Sequence, residues 1–164
     1  MEETITPLAE RVSRLLDGAP VLGAEKVQSL WSGYGGIYRL RLDSVTYPSV
    51  IAKWVAPPTE AQHPRGWNST FSHGRKLRSY AVERAWYLHY AERCGSECRV
   101  PVLYGEHCGD NHWLFVFEDL DHAGFSARRQ QASDHELYAC LAWLASFHGA
   151  FLGTTPDGLW PVGT

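Results

Sequence analysis

The chain has 164 residues, 45% of them hydrophobic, which suits one domain of ordinary size with a real core. Fifteen Lys plus Arg against eighteen Asp plus Glu give a formal charge of -3, so bulk electrostatics supplies no attraction for nucleic acid or an anionic membrane. With 20% charged residues, seven Trp, eight Tyr and six Phe, the composition is the opposite of a disordered one, and no apolar run is long enough to span a bilayer. The start of the chain is acidic rather than a basic region leading into an apolar stretch, so a soluble, cytoplasmic protein is expected.

Pro7 follows Thr6 as a helix start should, and Ile5, Leu8, Val12, Leu15 and Leu16 recur at helical spacing until Gly18. Residues 25–42 read as two extended segments around Ser32-Gly33-Tyr34-Gly35-Gly36, a glycine-rich hairpin. After Tyr47-Pro48, the run Val50-Ile51-Ala52-Lys53-Trp54-Val55 predicts a strand that Pro57-Pro58 ends. Residues 57–74 are rich in loop formers and predict a long loop. A helix over 75–93 follows, where Gly and Pro are absent up to Arg93 and Leu77, Ala81, Ala85 and Leu88 form an approximate stripe. Residues 102–107 and 113–118 flank Gly109-Asp110-Asn111 as a second hairpin. Ser133 and Glu136 form a capping box before Leu137, Leu141, Leu144, His148 and Phe151, a helix that stops at Gly153 and Pro156. The expected fold class is α+β, an antiparallel sheet of about five strands with a packed helix, followed by a further helix.

Cys94, Cys98, Cys108 and Cys140 are expected as free thiols, because the chain is too large to need a disulfide framework. A zinc site from Cys94, Cys98, His107 and Cys108 is disfavoured by the C-x3-C spacing and by the adjacency of the last two. Lys53 stands mid-strand with Ile51 and Val55 on its own face, where a cation needs compensation. Two readings stay open: an internal ion pair, for which Glu83 on the following helix between Tyr80 and Tyr87 is the best-placed acid, or a lysine that snorkels to water at the sheet edge. The glycine run is either an ordinary turn or a place where backbone N–H groups approach phosphate, and it lacks the Lys-Ser or Lys-Thr of a P-loop. Arg75, Lys76 and Arg78 read as a solvated basic face, and His148 as a packing residue.

Taken in order, the glycine hairpin, the strand Lys, the helical Glu and the hairpin ending in Phe115-Val116-Phe117-Glu118-Asp119-Leu120 resemble the N-terminal lobe of a kinase-like phosphotransferase. The resemblance is to the small-molecule branch holding aminoglycoside phosphotransferases, choline kinases and ecdysteroid-kinase-like proteins, with the last group nearest. His63-Pro64-Arg65-Gly66-Trp67-Asn68, Arg75-Lys76-Leu77-Arg78-Ser79-Tyr80 and Leu144-Ala145-Ser146-Phe147-His148 also look like that branch, and the likeness covers most of the chain after about residue 23.

The resemblance implies a protein-kinase-like fold, with a nucleotide-binding lobe and hinge over 1–120 and the start of a truncated helical C-lobe over 121–164. It further implies that Lys53 holds the α- and β-phosphates of ATP, that Glu83 orients it, and that the backbone of Gly33, Gly35 and Gly36 covers the phosphates. The Glu118 carbonyl and the Leu120 N–H would take adenine, with Phe117 at the border of the base and the Glu118 and Asp119 side chains fixing the hinge. The glycine run departs from the protein-kinase pattern, matching it only at Gly33 and Gly35. The family's His-Gly-Asp segment and its later metal-binding Asn and Asp have no counterpart here, and Asp157-Gly158 does not replace them.

The expectation is therefore an ATP-dependent phosphotransferase to a hydroxyl of a small molecule, represented by its ATP-binding portion and inactive alone. Mg²⁺ is implied only through ATP, no catalytic or metal-binding residue is assigned in this chain, and the alternative is a non-catalytic nucleotide-binding or interaction module. Nucleic acid and membranes are not expected partners. The apolar stripe of the last helix is expected to be left exposed and to drive self-association.

Overall fold

The computed structural model describes residues 2–57, 70–109, 112–126 and 128–155. Its contacts divide the chain into two compact units, Met1–Asn68 with Pro101–Ser126, and Ser69–Val100 with Ala127–Thr164.

The first unit contains helix α1 (Glu2–Leu15) and a five-stranded antiparallel sheet. Its strands are β1 (Val21–Ser29), β2 (Gly35–Leu42), β3 (Ser49–Val55), β4 (Leu103–Gly109) and β5 (His112–Glu118), in the order β1-β2-β3-β5-β4. Alternation decides which side chains meet α1. Tyr38, Leu40 and Leu42 of β2, Val50 and Ala52 of β3, and Leu114 and Val116 of β5 form one buried cluster with Leu8, Val12 and Leu16. The other face carries Ile37, Lys53 and Phe115, which stand opposite one another across three neighbouring strands. A register shift between Leu103 and Gly105 bends β4 where it passes α1, and the absent side chain of Gly105 leaves room for Leu15, whose Cβ would lie 3.3 Å from a Cβ there.

The second unit contains α2 (Thr70–His89), single 3-10 turns at Ala91–Arg93 and Ser96–Cys98, and α3 (Asp134–Phe151). Trp86 of α2 meets Phe147 and Phe151 of α3 at ring-centroid distances of 6.0 and 6.1 Å. Arg93 lies over the Phe151 ring and donates to the Ala150 carbonyl at 2.7 Å, while the Trp143 indole N–H donates to the Arg99 carbonyl at 3.0 Å. The capping box is complete: the Glu136 N–H donates to the Ser133 hydroxyl at 3.3 Å, and the Ser133 N–H to the Glu136 carboxylate at 2.8 Å. No residue of α3 is buried, and Leu137, Leu141 and Leu144 are 51%, 50% and 42% exposed, so this part of the expected apolar stripe is uncovered, whereas Phe151 is partly covered by Trp86 and Arg93.

Element boundaries differ from the sequence reading at β1, which begins at Val21 rather than at residue 25, at the end of α2, which stops at His89 rather than at residue 93, and at the starts of two helices. Helix α1 begins at Glu2 and has Pro7 inside it, in the second turn, where the missing N–H forfeits a single backbone hydrogen bond. Helix α2 begins at Thr70, within the stretch expected as loop, because Gly74 costs an exposed helix only about 1 kcal/mol and does not stop it. The remainder of that loop, with His63 and Trp67, lies outside the described residues, as does Asp157. No described helix is long and apolar enough to cross a membrane.

Candidate functional site

Lys53 occupies the middle of β3, half-buried, with its Nζ 5.9 Å from the centre of the Phe115 ring. Phe115 is fully buried and stacks on Phe117, itself only 8% exposed, with centroids 5.8 Å apart and planes 10° from parallel. Register fixes a sequence along this sheet face: Phe117 pairs with Ile51, Phe115 with Lys53 and Val55 with Gly35. An aromatic end, a central cation and a glycine turn thus follow one another along one line, each step about 7 Å from the next.

The glycine run forms a compact turn. A 3-10 turn at Trp31–Gly33 leads into β2, and the Leu30 N–H donates to the Gly35 carbonyl at 3.0 Å. Gly33 has φ 74° with open space around it, so its requirement is conformational. Gly35 combines φ 124° with a steric limit: a Cβ there would lie 2.0 Å from the Trp54 carbonyl oxygen. Gly36 is buried, and its Cβ would press on the Tyr38 ring at 3.0 Å. Gly35 therefore serves the close approach of β2 to β3, a structural reason that stands beside any phosphate contact.

The segment after β5 is tied down by carboxylates. Glu118 donates its N–H to the Val102 carbonyl at 2.8 Å, and its carboxylate accepts the Val102 N–H at 3.2 Å, which clamps the entry to β4. Asp119, 4% exposed, accepts from Arg39 Nε at 2.8 Å, from Arg39 Nη2 at 3.3 Å, from the Ser49 hydroxyl at 2.6 Å and from the Asp121 N–H at 3.1 Å. Arg39 also pairs with Asp121. Burial alone would push the Asp119 carboxyl up, but the Ser49 and Arg39 hydrogen bonds, the guanidinium charge and the Asp121 amide outweigh it and hold the group below the usual carboxylate range. Leu120 opens the following turn, where its carbonyl accepts from the Phe125 N–H at 2.8 Å. Arg39, Ser49 and Asp121 were absent from the sequence reading. The available signal was an arginine between the core residues Tyr38 and Leu40, on the face shared by Ile37 and Lys53.

Glu83 stands half-buried in the middle of α2, in the second unit, whereas Lys53, the glycines, Phe117, Glu118 and Leu120 all belong to the first. Within its own helix the Glu83 charge acts on Tyr87: burial first, then this carboxylate, push the phenol up to about 12. Arg75, Lys76 and Arg78 line a cavity of about 420 Å³ with Ser79 and Val82. All four cysteines are free, and the Cys94 thiol is pushed up to about 11 by burial and then by Cys98. Among the described residues no three His, Cys, Asp or Glu side chains converge as a metal site would need. Cys94 and Cys98 lie in one unit, His107 and Cys108 in the other. No protein-family model and no curated protein matches this chain.

Proposed function

We propose that the chain is the nucleotide-binding portion of an ATP-dependent phosphotransferase that acts on a hydroxyl of a small molecule. The observation that carries the reading is the line along the sheet face from Phe117 through Lys53 to Gly35. A purine needs an apolar, flat neighbour, phosphates need a cation in a site of reduced dielectric, and the far phosphates need backbone N–H groups without obstructing side chains. This face offers the three in that order. The element order supports the same assignment: glycine turn, strand with Lys53, helix with Glu83, then a hairpin that ends in an anchored Glu118-Asp119-Leu120 segment.

On this reading Lys53 binds the α- and β-phosphates, and the backbone of Gly33, Gly35 and Gly36 covers them. Phe117 borders adenine, and the Glu118 carbonyl and the Leu120 N–H recognise its edge. The Arg39, Ser49 and Asp119 network holds that edge-reading segment in place. Mg²⁺ would arrive with the ATP phosphates. The groups that activate the acceptor hydroxyl are assigned to no residue of this chain.

Calorimetric titration with MgATP tests the reading. Lys53→Ala removes a charge-assisted contact of about 1.5–3 kcal/mol and should weaken binding roughly tenfold or more, while Arg75→Ala should leave it nearly unchanged. Equal affinities in the two variants would contradict the role given to Lys53.

A further inference from the structure

The sheet face that carries α1 holds a second polar cluster, on the opposite side from Lys53. His107 pairs in register with Leu114, which packs in the α1-side core, whereas Lys53 pairs with Phe115 on the other face. Arg11 of α1 donates from Nη1 to Nε2 of His112 at 3.1 Å. A guanidinium only donates, so Nε2 of His112 is the acceptor in this hydrogen bond. The Arg11 guanidinium also lies 5.3 Å from the centre of the Trp54 ring, and the His112 ring lies 5.2 Å from Trp54 and 5.4 Å from His107. Arg14 follows on the next turn of α1, with its Nε donating to the Glu10 carbonyl at 3.3 Å.

Arg11, Arg14, Leu15 and His107 line a cavity of about 210 Å³. Carboxylates serve other arginines: Arg39 has Asp119 and Asp121, and Arg129 has Glu136. Arg11 and Arg14 make no ion pair with any described residue, although the chain as a whole is acidic. Arg11 is nevertheless half-buried and held in one direction by a ring and an imidazole, so its orientation is fixed before any ligand arrives.

We infer that this cavity binds a phosphoryl dianion, either free phosphate or the headgroup of a small phosphomonoester. Arg11 and Arg14, one turn apart on α1, both line the cavity and carry forked N–H donors of the kind phosphate oxygens accept, and His107 adds a ring N–H donor. The volume is below the roughly 300–1,000 Å³ of pockets for drug-sized ligands, which suits a headgroup and not a whole nucleotide. The inference does not rest on the ATP reading, because the two sites use opposite faces of the sheet.

The test is a titration of the full chain with inorganic phosphate and, separately, glycerol phosphate, at constant ionic strength made up with chloride, observed through the imidazole nitrogen resonances of His107 and His112. Saturable shifts with a midpoint of about 1 mM or lower are expected for at least one of the two probes. The probe that saturates at the lower concentration identifies the occupant as the free ion or as an esterified headgroup. Arg14→Gln, at an exposed position, should raise the midpoint about tenfold while leaving the amide spectrum of the fold intact. Lys53→Ala should leave the shifts unchanged. The inference is overturned if chloride alone reproduces the shifts, if neither probe saturates, if Arg14→Gln titrates like the parent chain, or if Lys53→Ala abolishes the response.

Discussion

Asp119 shows how much of this sheet depends on one carboxylate. It is nearly inaccessible, and it joins β2 through Arg39, β3 through Ser49 and the turn after β5 through the Asp121 amide. Removing one partner of such a pair leaves the other charge poorly solvated, so Asp119→Asn should cost about 2–4 kcal/mol at neutral pH, read as a lower urea midpoint. The sign of the pH dependence follows from the direction of the shift. Because the folded-state pKa is depressed, the contribution is fully present above the ordinary carboxylate value of about 4 and is lost as pH falls through the lower, folded-state value. The gap in stability between the parent chain and Asp119→Asn should therefore be constant near neutrality and shrink in acid. A gap that stays constant down to the acid transition would show that the charge contributes nothing.

At the scale of elements, the parts legible in the sequence were those with a local cause. The start of α3 was legible because Ser133 and Glu136 satisfy each other's backbone donors three residues apart, and the strand around Lys53 because Pro57 bounds an apolar run. Lys53 itself stands out in the sequence as a cation with Ile51 and Val55 on its own face. What could not be read were contacts that depend on register: Arg39 with Asp119 is a pair 80 positions apart, and Arg11 with His112 is 101 apart. No spacing rule connects such positions until the strand order is known. The start of α2 was missed for another reason, since its first turns are polar and contain Gly74, so composition mimics a loop. Helix α3 also carries a consequence for solution behaviour. Leu137, Leu141 and Leu144 fall on one side at helical spacing and are each about half exposed. Light scattering across a concentration series should show self-association that Leu141→Glu suppresses, and a monomer at every concentration in the parent chain would contradict that expectation.

For the whole molecule, the residues named in the nucleotide proposal fall in two compact units. The sheet unit carries the cation, the glycine turn, the aromatic pair and the anchored segment after β5, whereas Glu83 comes from the helical unit. The phosphoryl site inferred beside α1 uses the reverse face of the same sheet, so one five-stranded scaffold would present anion-binding groups on both sides. The lysines of the sequence, Lys26, Lys53 and Lys76, allow a direct choice between the sheet face and every other surface. An ATP analogue with a reactive acyl group on its terminal phosphate acylates the amine that lies against the phosphates, and tandem mass spectrometry locates the label. If Lys53 holds the phosphates, label appears at Lys53, excess ATP prevents it, and Lys26 and Lys76 stay largely unmodified. Label distributed over Lys26 and Lys76, or label at Lys53 that ATP does not suppress, would contradict that role.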